Sequence, residues 1–562
     1  MLLTPTHDYR RTDYRVPPRP LGGLDALVNG FIGSYQRRAK VLESLERDAF
    51  AIVAMERDWV EISDHELQTR LLEFRERFRR GGKEVETVLL PALAAIREAA
   101  DRKLGLRPFP VQLMGALALH RGFLAEMATG EGKTLTAGLA AVLAGWTKRP
   151  CHVVTVNDYL VQRDAEWLEP LYHFCGVRVG TVAFWMGEPE RAKGYGCDVT
   201  YITSKELLAD FLRDRLRLGK FQNPNRRLIQ RMLVPQSQAQ DGLVLRGLHT
   251  AIVDEADSVL IDEAVTPLII SASHKNESLR EAAQLANEMV ETLQPETHYR
   301  SNLRYKEIEL TQAGLQKMVE QAAHLPGLWK GQDRRLELVV QALIAREFYH
   351  RDKQYIVEGD KLVIVDEFTG RPMPQRSWRD GMHQAVEAKE GLPISDPTET
   401  IARLSFQRFF RCFYKLSGMT GTAREASSEF WQVYHLPVVT IPSNKPCIRQ
   451  QWPDRVFLNE TSKWPVIVLE IERLHATGRP LLVGTRNVLD SERLGQWLGE
   501  RGLEAKILNA SRLKEEAEII ALAGEKGRII IATNMAGRGT DIKLGQGVVG
   551  LGGLHVIATE RH

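Results

Sequence analysis

Cysteine is scarce and scattered. Cys151, Cys175, Cys197, Cys412 and Cys447 include no pair at metal-ligand spacing, and their odd total argues against a disulfide framework. No zinc site is visible, and a reducing cytoplasm fits this usage. Long apolar runs are missing too. Nothing approaches the roughly 18 apolar residues of a spanning helix, and the N-terminus lacks the apolar core of a signal peptide. Any membrane contact is therefore expected to be peripheral. No internal repeat or long low-complexity tract is evident. The net charge, +3 over 562 residues, is too small to mark a nucleic-acid binder by itself. The imbalance is local, because residues 1–40 hold seven Lys or Arg against three Asp, a basic arm suited to an acidic surface.

An apolar fraction of 43% with 26% charged residues excludes a disordered or fibrous chain, and the length implies about three or four domains. Pro-rich Val16–Pro20 precedes Leu24, Leu27, Val28, Phe31, Ile32, Tyr35, Leu42 and Leu45, which recur at helical spacing. That amphipathic helix suits either a membrane surface, with Arg37, Arg38 and Lys40 at lipid headgroups, or packing on the body of the protein. From about Phe109, short apolar strands alternate with helices: His152–Val156, Val199–Ile202 and Ala251–Asp254. A second series follows at Leu481–Gly484, Ala505–Leu508, Arg528–Ala532 and Leu554–Ile557. Such alternation predicts two α/β lobes, each with a parallel sheet covered by helices. Between them, residues 268–377 carry charged helical stretches and a hairpin pattern, Gln354–Val357 then Leu362–Val365 across Glu358-Gly359-Asp360, which reads as an inserted domain. Asn223–Asn225 and Pro235–Gly242 mark a loop-rich excursion.

Ala128-Thr129-Gly130-Glu131-Gly132-Lys133-Thr134 fits a phosphate-binding loop with Met127 where the pattern usually starts on Gly. Small residues let backbone N–H groups curl around phosphates, Lys133 would reach the β and γ oxygens, and the Thr134 hydroxyl would coordinate Mg²⁺. Val253-Asp254-Glu255-Ala256-Asp257 follows a short apolar strand, where the acidic Mg²⁺ site of such a sheet belongs. Asp254 would hold Mg²⁺ through water, Glu255 would orient and deprotonate the attacking water, and Asp257 would bridge to the second lobe. Gln112 precedes the loop where helicase-like motors place an amide that reads adenine, favouring ATP over GTP. In the second lobe, the turn Ala532–Asp541 offers Arg538 to a γ-phosphate and Asp541 to the ribose or adjoining backbone, and Leu416–Ala423 is a hydroxyl-rich coupling segment. The bland alternatives are a chance Gly-rich turn, a surface acidic cluster and a solvated Arg. Each weakens once the segments are taken together.

From about Met55 to the last residue the chain resembles the SecA family of bacterial protein-export motors. The resemblance rests on Glu131 within the loop and on the strings Val156–Asp164, Asp257–Ala264, Thr266–Ser271 and Gly381–Gly391. It departs at Val265, where the family has Arg, at Thr203–Phe211, and over 213–248, which are longer and more basic.

The resemblance implies two RecA-like motor lobes clamping ATP and Mg²⁺, with these domains: a basic arm and N-terminal helices over 1–84, a first nucleotide-binding lobe over 85–267, an inserted preprotein-binding domain over 268–377, the return of the first lobe over 378–436, and the second lobe over 437–562. Implied partners are unfolded preproteins, a SecYEG-type channel and an acidic phospholipid surface, with a homodimer also compatible and no nucleic acid expected. The implied location is cytoplasmic and peripheral on the cytoplasmic face of the inner membrane. In the family a Gln- and Arg-rich motif and helical scaffold and wing domains follow the position of His562. The expectation is therefore a piece of a longer ATPase or, alternatively, a nucleotide-gated accessory module with weak hydrolysis. A nucleic-acid helicase is the remaining alternative, with Arg213–Arg231 on phosphates.

Overall fold

The computed structural model describes residues 10–560 apart from 19–20, 22, 37–38, 224, 227–228, 230–232, 234–241, 274–275, 303–304, 326, 352, 366–371, 374–376, 397, 509–518, 521 and 534–541. The expected headgroup contacts Arg37 and Arg38, most of the excursion at 235–242, and both Arg538 and Asp541 lie outside the described residues.

The first strands are β1 (Leu124–Glu126), β2 (Cys151–Thr155), β3 (Val179–Val182), β4 (Val199–Thr203) and β5 (Thr250–Val253). Every residue of β2, β4 and β5 is buried, as expected of a parallel sheet covered on both faces. The chain then leaves through β6 (Pro267–Ser273). It forms β7 (Tyr299–Asn302), β8 (Glu307–Leu310), β9 (Tyr355–Glu358), β10 (Lys361–Val365) and β11 (Pro372–Met373), and returns through β12 (Thr398–Ser405), which pairs antiparallel with β6. Two more strands, β13 (Lys415–Thr420) and β14 (Val438–Thr440), complete the first sheet in the order β14-β1-β13-β5-β2-β4-β3, with every pairing parallel. The returning β13 thus slots between β1 and β5.

Side chains alternate between two cores. Val153, Tyr201 and Ile252 face the helices Asp64–Arg80, Lys83–Leu104, Pro110–His120 and Lys133–Gly145. Val154, Ile202 and Val253 face a cluster that includes Phe211, Phe406, Phe409, Phe410 and Phe413. Burying an aromatic or aliphatic side chain contributes about 1.5–3 kcal/mol, so this sheet is held firmly from both sides.

The body between β6 and β12 has its own core, in which Val290, Tyr299, Val339 and Leu343 are at most 1% exposed. The expected hairpin is present, with Leu362 opposite Val357 and Ile364 opposite Tyr355. The helix Met382–Lys389 belongs to this body. Val386 and Ala385 pack with Tyr355 and Ala345, the Trp378 ring meets Tyr349 at 4.7 Å, and the Tyr355 hydroxyl donates to Glu390 Oε1 at 2.6 Å. The expected division at 377/378 therefore falls inside a packed unit, because aromatic contacts carry the core past it.

The second sheet, β15 (Leu481–Thr485), β16 (Ala505–Leu508), β17 (Ile529–Thr533) and β18 (His555–Ala558), is parallel in the order β16-β17-β15-β18. At the N-terminal side the expected amphipathic helix is described in two stretches, Gly23–Gln36 and Ala39–Ala54, on either side of residues 37–38, which lie outside the described residues. The first lays Gly33 on the Trp431 indole, whose Nε1 donates to the Asn29 carbonyl at 2.6 Å. Leu24 and Phe31 remain 79% and 77% exposed. No helix among the described residues is long and apolar enough to cross a membrane.

Candidate active site

The C-terminal ends of β1, β13 and β5 converge on one cleft. From β1 the chain curls through Met127–Gly132 into the helix Lys133–Gly145. Gly130 and Gly132 sit at φ 87° and 79°, the left-handed region that glycine enters without cost. A Cβ on Gly132 would come within 2.3 Å of Gln112 Nε2, so a side chain there would displace that amide. Gln112 is 8% exposed. Its Nε2 donates to the Glu131 carbonyl at 2.9 Å and its Oε1 accepts from the Phe109 N–H at 2.9 Å. This amide braces the loop, a role beyond the expected reading of adenine.

Lys133 Nζ lies 3.3 Å from Glu255 Oε1, both largely buried. Glu255 follows β5 with φ 45°, a left-handed conformation that costs a non-glycine residue about 1–3 kcal/mol and clusters at functional sites. Its N–H donates to Asp254 Oδ1 at 3.0 Å. Burial, with Glu255 adding repulsion against the pull of Lys133, pushes the Asp254 carboxyl up to about 7. Two adjacent carboxyls facing one ammonium make an under-neutralised oxygen donor set of the kind that a hard divalent cation satisfies. Thr134, partly buried in the first turn of the helix, adds a hydroxyl to the same loop.

The coupling segment also reaches the loop. A Cβ on Gly421 would meet Thr129 Oγ1 at 3.4 Å and Lys133 Nζ at 3.9 Å. Asp257 accepts from the Thr422 hydroxyl. β13 lies beside β5 and so brings Thr422 to it, a contact within the first sheet. The structure therefore brings together Gln112, Gly130, Glu131, Gly132, Lys133, Asp254 and Glu255.

Two acidic contacts were not anticipated. Glu131 Oε2 accepts from the Asn444 N–H at 3.1 Å, on the segment linking β14 to the second sheet. Glu126, ending β1, accepts from the Arg424 N–H at 2.9 Å through Oε1 and from the Thr440 hydroxyl at 2.5 Å through Oε2. A carboxylate one residue before the loop and the run Ile441-Pro442-Ser443-Asn444-Lys445-Pro446 were the available signals.

Three cations of the basic stretch after Leu212 are engaged within the chain. Arg213 pairs with Asp210 at 2.8 Å, Arg215 lies over the Tyr14 and Phe211 rings, and Arg217 pairs with Glu188. Those cations are committed to packing.

Residues 29–431 match the family model described as the SecA DEAD-like domain, and 446–549 that described as the SecA P-loop domain. The chain is 48% identical to Protein translocase subunit SecA 2 of Chlorobium chlorochromatii, covering 99% of this chain and 84% of that protein. It is 44% identical to Protein translocase subunit SecA 2 of Magnetococcus marinus, over 96% of this chain and 83% of the other. Identity to Protein translocase subunit SecA of Oleidesulfovibrio alaskensis is 42%, over 96% of this chain and 60% of that one.

Proposed function

Because the chain belongs to the SecA protein translocase family, we propose that it is an ATP-driven motor subunit that moves unfolded preproteins through a SecYEG-type channel. The observation that carries this reading is the convergence of Lys133, Asp254, Glu255 and Gly421 at the ends of three neighbouring parallel strands.

In this reading Gln112 holds the loop and reads adenine, the backbone of Gly130–Gly132 cradles phosphates, and Lys133 exchanges Glu255 for the β and γ oxygens. Thr134 and Asp254 are the residues that would hold Mg²⁺, which when bound neutralises charge developing on the phosphates. Glu255, released from Lys133, orients and deprotonates the attacking water. Arg538 and Asp541 complete the site from the second sheet, so that ATP closes the two lobes and hydrolysis reopens them. The body between β6 and β12 grips the polypeptide, its short antiparallel strands suited to strand addition. The exposed apolar residues of the helix Gly23–Gln36 suit an acidic phospholipid surface. A cytoplasmic protein, peripheral on the inner membrane, follows from that contact, and a homodimer remains compatible.

The test is ATP turnover with and without an unfolded presequence protein, channel and acidic lipid. Stimulation is expected. Lys133→Ala should abolish nucleotide binding, whereas Glu255→Gln should retain binding and lower turnover by about 10²- to 10⁴-fold. Turnover that is intact in Glu255→Gln, or unresponsive to the presequence protein, would defeat the assignment.

A further inference from the structure

The Gln112 amide is held by a chain of contacts that starts among the N-terminal helices. Arg97, on the helix Lys83–Leu104, is only 7% exposed. Its Nε donates to the Pro108 carbonyl at 2.8 Å, and its Nη1 donates to Glu56 Oε2 at 2.6 Å. Glu56 lies between the helices Ala39–Ala54 and Arg57–Val60, and its other oxygen is 2.9 Å from Arg107 Nη1. Arg107 is itself paired with Glu98 at 3.0 Å and with Asp101 at 2.5 Å. The turn that enters the helix Pro110–His120 is therefore pinned on both its carbonyl and its arginine.

The Pro108 carbonyl and the Phe109 N–H are the two ends of one planar peptide unit. Arg97 grips the first end, and the second donates to Gln112 Oε1 at 2.9 Å. A shift of the carbonyl tilts the N–H, and a cationic donor on the carbonyl polarises the unit and strengthens the bond made by the N–H. The orientation of the amide follows from its two partners. The Phe109 N–H can only donate and the Glu131 carbonyl can only accept, so Oε1 faces the first and Nε2 the second. One N–H and one lone pair of the amide are left for a ligand. Adenine presents an N6–H donor beside the N7 acceptor and matches that pair, whereas guanine presents two acceptors, O6 and N7, and would set O6 against the amide oxygen. An amide free to turn over would meet O6 with its N–H groups instead. Discrimination between the bases thus depends on what stops the amide from turning.

We propose that Arg97 is a positioning residue for base specificity: acting through the Pro108–Phe109 peptide, it sets the Gln112 amide so that adenine nucleotides are preferred to guanine nucleotides. This rests on the reading that Gln112 meets adenine, and adds to it the group that fixes the amide.

Calorimetric titration of ADP and of GDP into the full chain gives the ratio of affinities that tests the proposal, because damage to the fold or to the phosphate loop lowers both together. The unsubstituted chain should prefer ADP by about tenfold or more. Arg97→Lys keeps a cation for Glu56 but loses the Nε donor to Pro108, and should cut the preference about three- to tenfold. Glu56→Gln, at a side chain 38% exposed, loosens Arg97 from its outer end and should cut it about threefold. Thermal melts show whether each variant is folded, and if Arg97→Lys is not, Glu56→Gln decides. Gln112→Ala separates the two claims. If it leaves the preference intact, the adenine reading fails and the proposal with it. If it removes the preference while Arg97→Lys and Glu56→Gln retain it, or lower ADP and GDP affinity equally, the positioning role alone is overturned.

Discussion

The two parallel sheets differ in what they supply to the nucleotide cleft. The first is seven strands wide and cored on both faces, and it fixes Lys133, Asp254, Glu255 and Gly421 against one another before any ligand arrives. The second is four strands wide among the described residues, with smaller cores, and its candidate contribution is the turn after β17. The proposed function accordingly assigns binding to a prebuilt site on one sheet and the acceleration of hydrolysis to the other sheet being brought to it. The cost of preorganisation is visible in the first sheet as a buried aspartate raised to about 7 and a glutamate in a left-handed conformation. Rigid elements carry such strain because their packing outweighs it.

The largest expected effect separates these contributions. Arg538→Ala should lower turnover by about 10³-fold or more, as loss of an arginine on a transferring phosphoryl group does, while ATP affinity changes little. Nucleotide titration beside a steady-state assay reads both. Equal losses in affinity and turnover would mean that the second sheet takes part in binding, and the contrast would fail.

A smaller effect probes the strain in the first sheet. The Asp254 carboxyl moves from the ordinary 3.8 to about 7 on folding, so between those values the folded chain holds a proton that the unfolded chain has released. Its destabilising influence therefore grows as pH rises through that window and is complete above it. In metal-free protein, Asp254→Asn should stabilise the fold by up to about 4 kcal/mol at pH 8 and by almost nothing at pH 4. Thermal melts at the two pH values check the sign. Equal stabilisation at both would place the effect outside this titration.

Much of this was legible in residue order, for identifiable reasons. The loop, the acidic strand end and the hairpin across Glu358-Gly359-Asp360 are local patterns, each written within about ten residues. The edge of the inserted body was not legible. Trp378 and Val386 join its core through tertiary contacts that leave no change in composition. The contact of Asp257 with Thr422 was not legible because nothing in the sequence says that β13, after an excursion of more than a hundred residues, returns to lie beside β5.

The least legible contact reaches the connection between the sheets. Glu131 stands in the phosphate loop, yet its carboxylate holds the Asn444 N–H on the connection to the second sheet. In the proposed function, a movement of the loop backbone on nucleotide entry would pull on that connection, and Gln112, bonded to the Glu131 carbonyl, would carry the displacement to the helix Pro110–His120. Glu131→Ala removes the tether but leaves the backbone carbonyl for Gln112. A solvent-accessible hydrogen bond to a carboxylate contributes about 1 kcal/mol, so the expected change is only two- to fivefold. Its distribution is the informative part. If the tether serves to couple the lobes, ADP affinity should stay constant while turnover and its stimulation by presequence protein fall. If it serves only to shape the loop, affinity should fall instead and the ratio of stimulated to basal turnover should be preserved.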